Sequence, residues 1–280
     1  MSGAQRRLPL RRPFRTPRVL AGVALAFVLA CIGYAGWVEP AWLEITLHER
    51  ADPTAAEPPI RVVQLSDLHL QRMGGLERAV AAAVLAQTPD LVVLSGDVID
   101  DPQALPELEM FLRALGDVPK VAVLGNWEHW SGVALPTLRQ AYEQHHGTLL
   151  INASARYTVG SRTLWVLGLD DFTAGRPDAR LLDALPSVGP TLVVQHSPGW
   201  FSSPEIAHRS ANATLCLAGH THGGQVTLFG WPLVTPPGSG EFVHGFADSA
   251  LCPIFVSRGI GTSLLPLRFG ARPEMAVFTL

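Results

Sequence analysis

Lysine, cysteine and charge are scarce in this sequence, and each scarcity narrows what the chain can be. Charged residues make up only 16% of the 280 residues, against 48% hydrophobic ones. A disordered chain has the opposite balance. Three cysteines in a chain of this length are too few for a disulfide framework. The 26 glycines and 23 prolines follow no three-residue period, which excludes a collagen-like repeat. Lys120 is the only lysine, and arginine supplies the other basic residues. Six of them (Arg6, Arg7, Arg11, Arg12, Arg15 and Arg18) fall in the first 18 residues, which hold no acid. The remaining chain carries 15 basic and 24 acidic residues, a net of −9. An acidic body argues against nucleic acid as the main partner, because a phosphate backbone needs a basic footprint. A G-x-S-x-G elbow is absent, which disfavours a serine hydrolase, and so is a Walker A loop, which disfavours a nucleotide switch.

Only one apolar run is long. Residues 19–38 carry no charge until Glu39, and at ~1.5 Å per residue such a helix crosses a ~30 Å hydrocarbon core. The basic residues 1–18 precede it, and Trp37 and Trp42 sit where an interfacial belt belongs. We therefore expect a basic tail (1–18), a transmembrane or signal-anchor helix (19–38), a Pro/Ala/Glu-rich linker (39–59) and one catalytic domain (60–280). The positive-inside rule places the domain outside the cytoplasm, on a single-pass protein of the inner membrane. A cleaved signal peptide is the rival, although the run is long for one and lacks a clean A-x-A site. Arg11-Arg12-Pro13-Phe14 resembles a twin-arginine export signal.

From Ile60 onward, short Val/Leu runs alternate with helical segments. Runs at 60–66, 91–95, 121–124, 164–169, 191–195 and 214–218 read as strands covered on both faces, and 76–87, 106–115 and 136–145 as helices. This rhythm predicts an α/β layered domain. After Gly223 the helices stop, and further strands are expected at 226–229, 253–257 and 274–279.

The predicted strands end in residues that a core cannot use. These ends read Ser66-Asp67-Leu68-His69, Gly96-Asp97, Gly125-Asn126, Gln195-His196-Ser197 and Gly219-His220-Thr221-His222-Gly223-Gly224. In open α/β sheets, ligands bind beyond the carboxyl ends of strands. One rim thus receives Asp67, His69, Asp97, Asn126, His196, His220 and His222. Imidazole and carboxylate donors suit Mn, Fe or Zn, and seven donors suit two ions rather than one. Any one of these motifs alone is noise. Five in order, each after an apolar run, are not.

This pattern (D-x-H, G-D, G-N, H, G-H-x-H) resembles the calcineurin-like metallophosphoesterase superfamily over residues 60–280. The tail 257–274 is similar to the membrane-anchored or exported YkuE/YaeI-like branch. The resemblance implies a four-layer α/β/β/α sandwich with two mixed sheets. It implies two divalent cations: Asp67, His69 and His222 on one, Asn126, His196 and His220 on the other, and Asp97 bridging. It implies hydrolysis of a phosphodiester or pyrophosphate by metal-hydroxide attack, with Asn126 stabilising the transition state. Some members act on a lipid-linked substrate, UDP-2,3-diacylglucosamine. A broad-specificity phosphomonoesterase and a catalytically weak metal-binding scaffold are the alternatives.

One departure matters. Relatives have histidine directly after the asparagine, as a proton donor to the leaving group, whereas this chain has Trp127. Either His129 reaches the same oxygen, with Glu128 a weaker candidate, or the leaving group is already acidic, as in a pyrophosphate. Arg258 and Arg268 are candidate phosphate clamps. Asp170 and Asp171 are expected to serve a turn. Cys216 is expected as a core thiol, with Cys252 able to meet it only if geometry allows. The apolar stretch 228–234 packs inside by default, or touches an acyl chain if exposed.

Overall fold

A computed structural model describes residues 16–51, 57–209 and 211–280. The proposed export signal at Arg11 and Arg12, and most of the basic tail, lie outside the described residues. Helix α1 (Thr16–Gly33) runs into a π-helical turn (Tyr34–Val38) and a 3₁₀ turn (Glu39–Ala41). Residues 19–41 form one stretch long and apolar enough to cross a membrane, and its window is almost wholly exposed.

Part of the segment expected as a linker is a strand. Residues 44–49 form strand β1 (Glu44–Glu49), paired in parallel with the last strand of the domain, β14 (Glu274–Thr279). Its charged ends and mixed pattern disguised an edge strand. Thr46 donates to Glu274, and Glu44 meets Arg258 and Arg272. The globular unit therefore begins ahead of Ile60.

After β1 come β2 (Arg61–Leu65), α2 (Gly75–Ala86), β3 (Leu91–Leu94), α3 (Leu105–Ala114), β4 (Lys120–Val123), the short α4 (Asn126–Trp130), α5 (Leu135–Glu143) and β5 (Gly147–Leu150). They build a first six-stranded sheet in the order β1-β14-β2-β3-β4-β5. The second sheet uses β6 (Ala153–Val159), β7 (Arg162–Gly168), β8 (Thr191–Val194) and β9 (Leu215–Ala218). A small hairpin follows, β10 (Thr227–Leu228) and β11 (Trp231–Pro232), then β12 (Gly245–Ala247) and β13 (Ile254–Val256). The second order is β12-β13-β9-β8-β7-β6. Both sheets are mixed: β2 to β5, and β7-β8-β9-β13, run parallel, and antiparallel partners flank them.

Continuous Val/Leu strands bury both faces, so three apolar layers follow. Between the sheets, Val62, Val93 and Val121 meet Leu164, Leu192 and Leu217. Outside the first sheet, Val84, Phe111 and Tyr142 of α2, α3 and α5 cover Val63, Val92 and Leu94. Outside the second, Trp200 and Phe201 cover Val193 and Ala218. This is the expected four-layer sandwich, with its fourth layer made of 3₁₀ turns (Ala179–Ala184, Pro198–Ser202) and loops. Cys216 is not a free thiol. It is bonded to Cys252 across neighbouring parallel strands, with the Cα atoms 5.9 Å apart.

Candidate metal centre

The carboxyl ends of β2, β3, β8 and β9 converge at one edge of the sandwich, and the polar tails of these strands meet there. Two clusters form. Asp67, His69 and His222 each present a donor atom within 4.8 Å of the others, and so do Asp97, His196 and His220. All six residues are buried. Asp97 lies between the clusters, with one carboxylate oxygen 3.1 Å from His196 Nε2 and 4.0 Å from His69 Nε2.

The backbone is bent to make this possible. Asp67, His69, Asp97, His220 and His222 have φ of 50, 44, 53, 72 and 51°, a region that non-glycine residues seldom occupy and that collects at functional sites. The glycines between them allow close approach. A Cβ on Gly219 would collide with Ser66 Oγ and the Asp67 carboxylate.

Three of the four rings are turned by an outer acceptor, and the fourth, His222, has Nδ1 3.4 Å from Arg268. His69 Nδ1 lies 2.6 Å from Asp100, His196 Nδ1 lies 2.8 Å from the Ser95 carbonyl, and His220 Nε2 lies 2.7 Å from the Pro237 carbonyl. In each case the N–H is held by an outer acceptor and the other nitrogen faces the cluster, as in metal-binding histidines. Burial disfavours charge on His196, yet Asp97 and Asp67 lift it well above the ordinary histidine value. Burial likewise opposes ionisation of Asp97, but His196 and His69 hold it at about 2. The field that retains a proton here would equally retain a cation.

Asn126, at the start of α4, is buried beside this pair, and its Oδ1 has no hydrogen-bond partner. A buried amide oxygen without a donor costs free energy; a cation would satisfy it. The donor set of carboxylate, imidazole and amide oxygen therefore fits two divalent ions.

The span from β2 to the turn after β9 decides the family. A model of the calcineurin-like phosphoesterase family matches residues 60–224. The chain belongs to this family. The Bacillus subtilis metallophosphoesterase YkuE is 31% identical over 271 residues, covering 89% of each chain. The Escherichia coli phosphodiesterase YaeI is 31% identical over 261 residues, covering 89% of this chain and 92% of its own. Among solved structures, a dimetal phosphatase from Danio rerio is similar at a TM-score of 0.46 and 13% identity, over 80% of this chain and 99% of that one. The chain is thus a metal-dependent phosphoesterase of the YkuE/YaeI branch. The family's binuclear divalent centre has two candidate sites here.

The remaining predicted residues fall differently. Trp127 stands edge-on to His69, with ring centroids 6.0 Å apart, and its backbone amide donates to the Asp97 carboxylate. His129 Nε2 lies 2.7 Å from Asp170. That hydrogen bond raises the His129 pKa against the opposing effect of burial. Burial would raise the Asp170 carboxyl, but His129 and the Arg176 amide outweigh it and hold it low. Asp170 also accepts the Asp171 amide, so its turn role and its pairing with His129 coexist. Burial and the neighbouring Asp97 push the Glu128 carboxyl up to about 7. Its carboxylate accepts the amides of Gly125, Asp97, Val98 and Ile99, and it clamps the Asp97 loop to α4.

Neither arginine is free to clamp a phosphate. Arg258 pairs with Glu274 and Glu44. Arg268 is fully buried and donates to the carbonyls of Gly261, Arg258 and Ala271, with Nη2 3.4 Å from His222 Nδ1. The sequence does not show the partners of either arginine, so a brace and a clamp look alike there. Asp100 was missed outright. Its signal is its spacing, three residues after Asp97, in a loop that must fold back over His69.

Proposed function

We propose that the chain hydrolyses a phosphodiester or pyrophosphate bond with two divalent cations, Mn, Fe or Zn, held by the residues of this rim. Asp67, His69 and His222 would hold one, Asn126, His196 and His220 the other, with Asp97 shared. The observation that carries this reading is that Asp97, a member of the second cluster, reaches His69 of the first, with its carboxylate 4.0 Å from His69 Nε2. When bound, such a pair supplies Lewis acidity at the phosphoryl oxygens and an acidified water. The protein's own residues do the rest. Asp100 and the Ser95 and Pro237 carbonyls fix which imidazole nitrogen faces the substrate side. Asn126 adds an amide dipole where charge develops.

His129 is the proton donor in this reading. Its hydrogen bond to Asp170 raises its pKa and so favours the protonated ring, the form a general acid requires. A His129→Ala variant should lose activity on esters with poor leaving groups and keep it on activated ones. Equal loss on both would remove His129 from this role.

We further propose that α1 anchors the protein and that the domain lies outside the cytoplasm. The apolar run supports the anchor. The buried Glu39 carboxylate, which accepts the Ala271 amide, supports its retention, because cleavage nearby would strip a domain contact. The Cys216–Cys252 bond supports an oxidising compartment. YaeI carries the name phosphodiesterase, which favours a diester over a simple monoester.

The test uses the full chain in detergent, chelated and reloaded with Mn²⁺. Bis(p-nitrophenyl) phosphate, p-nitrophenyl phosphate and UDP-2,3-diacylglucosamine are compared, with Asp97→Asn as control. Metal-dependent turnover lost in Asp97→Asn supports the reading, and the preferred substrate selects diester, monoester or pyrophosphate. Two bound metals without turnover would leave a scaffold.

A further inference from the structure

The stretch expected to pack inside does not. The β10–β11 hairpin exposes Phe229 at 92% of its surface, and Trp231 and Leu233 beside it are also exposed. A second loop exposes Leu264 at 88%, next to Leu265. The two loops are one structure. The Gln225 amide donates to the carbonyls of Ser263 and Leu265, and Thr227 and Phe269 are joined through their backbones. This pair is fastened to the exit of α1. The Arg268 amide donates to the Ala35 carbonyl, Leu267 lies against Gly36, and Tyr34 packs edge-on to Phe269. On its other side the hairpin rests on the His222–Gly224 turn through Pro232.

We infer that these two loops seat in the same bilayer that holds α1, and that the rim behind them acts on the phosphate of an amphiphile lying in that bilayer. The substrate half of this inference rests on the phosphoesterase reading above; the seat does not. Three exposed tryptophans, Trp37, Trp42 and Trp231, mark the level, since indole concentrates at membrane–water interfaces. Apolar side chains exposed this far in a clustered patch mark an interaction surface. Continuity with the exposed apolar helix identifies the occupant as lipid. An amphiphile with its chains beside α1 would present its phosphate beside the turn that carries His222.

The experiment reconstitutes the full chain, with Cys31→Ser, in phosphatidylcholine vesicles. An environment-sensitive fluorophore is placed at Phe229→Cys, at Leu264→Cys, or at Val188→Cys. Val188 is 79% exposed and precedes β8, at the opposite end of the strands from the site. Lipid-attached nitroxide should quench the first two and spare the third; equal quenching at all three overturns the seat. The second arm compares dodecyl and methyl p-nitrophenyl phosphate, which share one leaving group. A Phe229→Ser/Trp231→Ser/Leu264→Ser variant should keep the methyl ester rate. Its dodecyl ester rate should fall at least about tenfold, as three apolar side chains leave the interface. An unchanged dodecyl-to-methyl ratio overturns the substrate class. No turnover of either ester by the wild-type chain would count against the phosphoesterase reading, and the quenching arm would still decide the seat.

Discussion

Arg268 separates a scaffold from a clamp by measurement. Its guanidinium is wholly buried, and burial pulls it down to about 10, so it remains charged at neutral pH. Replacement by methionine keeps much of the volume and removes every donor. Three carbonyls, on Gly261, Arg258 and Ala271, then lose their partner. Hydrogen bonds from a charged donor contribute roughly 1.5–3 kcal/mol each. Each buried carbonyl left without a donor costs roughly 1–3 kcal/mol, and relief of the buried charge offsets part of this, which leaves a net cost of about 3–5 kcal/mol. At roughly 2–4 °C per kcal/mol for a domain of this size, Arg268→Met should melt roughly 6–20 °C lower. The assay is thermal unfolding of the full chain in detergent, read beside KM for bis(p-nitrophenyl) phosphate. Arg268→Lys should fall between, since one ammonium cannot reach all three carbonyls with the geometry of a planar fork. A melting temperature within about 2 °C of wild type, together with a raised KM, would refute the scaffold role and restore the clamp.

Other perturbations test separate parts of the site. Asp100→Asn should weaken metal retention about 10–100-fold by freeing the His69 ring, measured by metal content after dialysis against graded chelator. His129 is raised by Asp170, so its contribution to stability is full below about pH 6.5 and is lost as pH rises through its folded pKa. Asp170 is held low, so its share is present above about pH 4 and is lost on further acidification. Denaturation curves of wild type and His129→Gln should therefore differ most between these limits and converge at alkaline pH. Reducing the Cys216–Cys252 bond, which links residues 36 apart, should destabilise by roughly 3–4 kcal/mol. A Cys216→Ser/Cys252→Ser pair that melts like wild type would show that the cross-link is silent.

Much of the sandwich was legible because parallel strands buried on both faces leave unbroken Val/Leu runs. The candidate ligand residues stood out because a core has no use for Asp67 or His196 at a strand end. What escaped was set by neighbours distant in sequence. β1 is an edge strand, so only its partner β14 and the ions around Glu44 give it away. β5 and β12 are short and polar-flanked, and α4 is a single turn pinned by Glu128. The arginines looked like clamps because a lone basic residue reads alike whether it meets phosphate or carbonyl. Cys252 could be named for Cys216 but the bond could not, since pairing depends on the adjacency of β9 and the segment that enters β13.

The left-handed ligands explain how such a site can exist before any ion binds. A sparsely populated φ/ψ costs about 1–3 kcal/mol per residue, and five of the candidate ligand residues stand there. Their backbones are nevertheless paired across the rim. The Asp67 amide donates to Gly96, His69 to Asp97, Gly219 to His196, and Gly261 to Asp67. Strand ends from both sheets thus hold the strained turns, and the side chains are left to face inward. A cradle fixed by its own backbone should survive chelation while losing only the binding free energy of the ions. At about 100-fold excess over Kd, one ion contributes roughly 2.7 kcal/mol. Removing it should lower the melting temperature by roughly 5–10 °C and leave the far-ultraviolet circular dichroism below the transition unchanged. A spectrum that changes on chelation at low temperature would mean that the ions, rather than the paired strand ends, hold these turns in place.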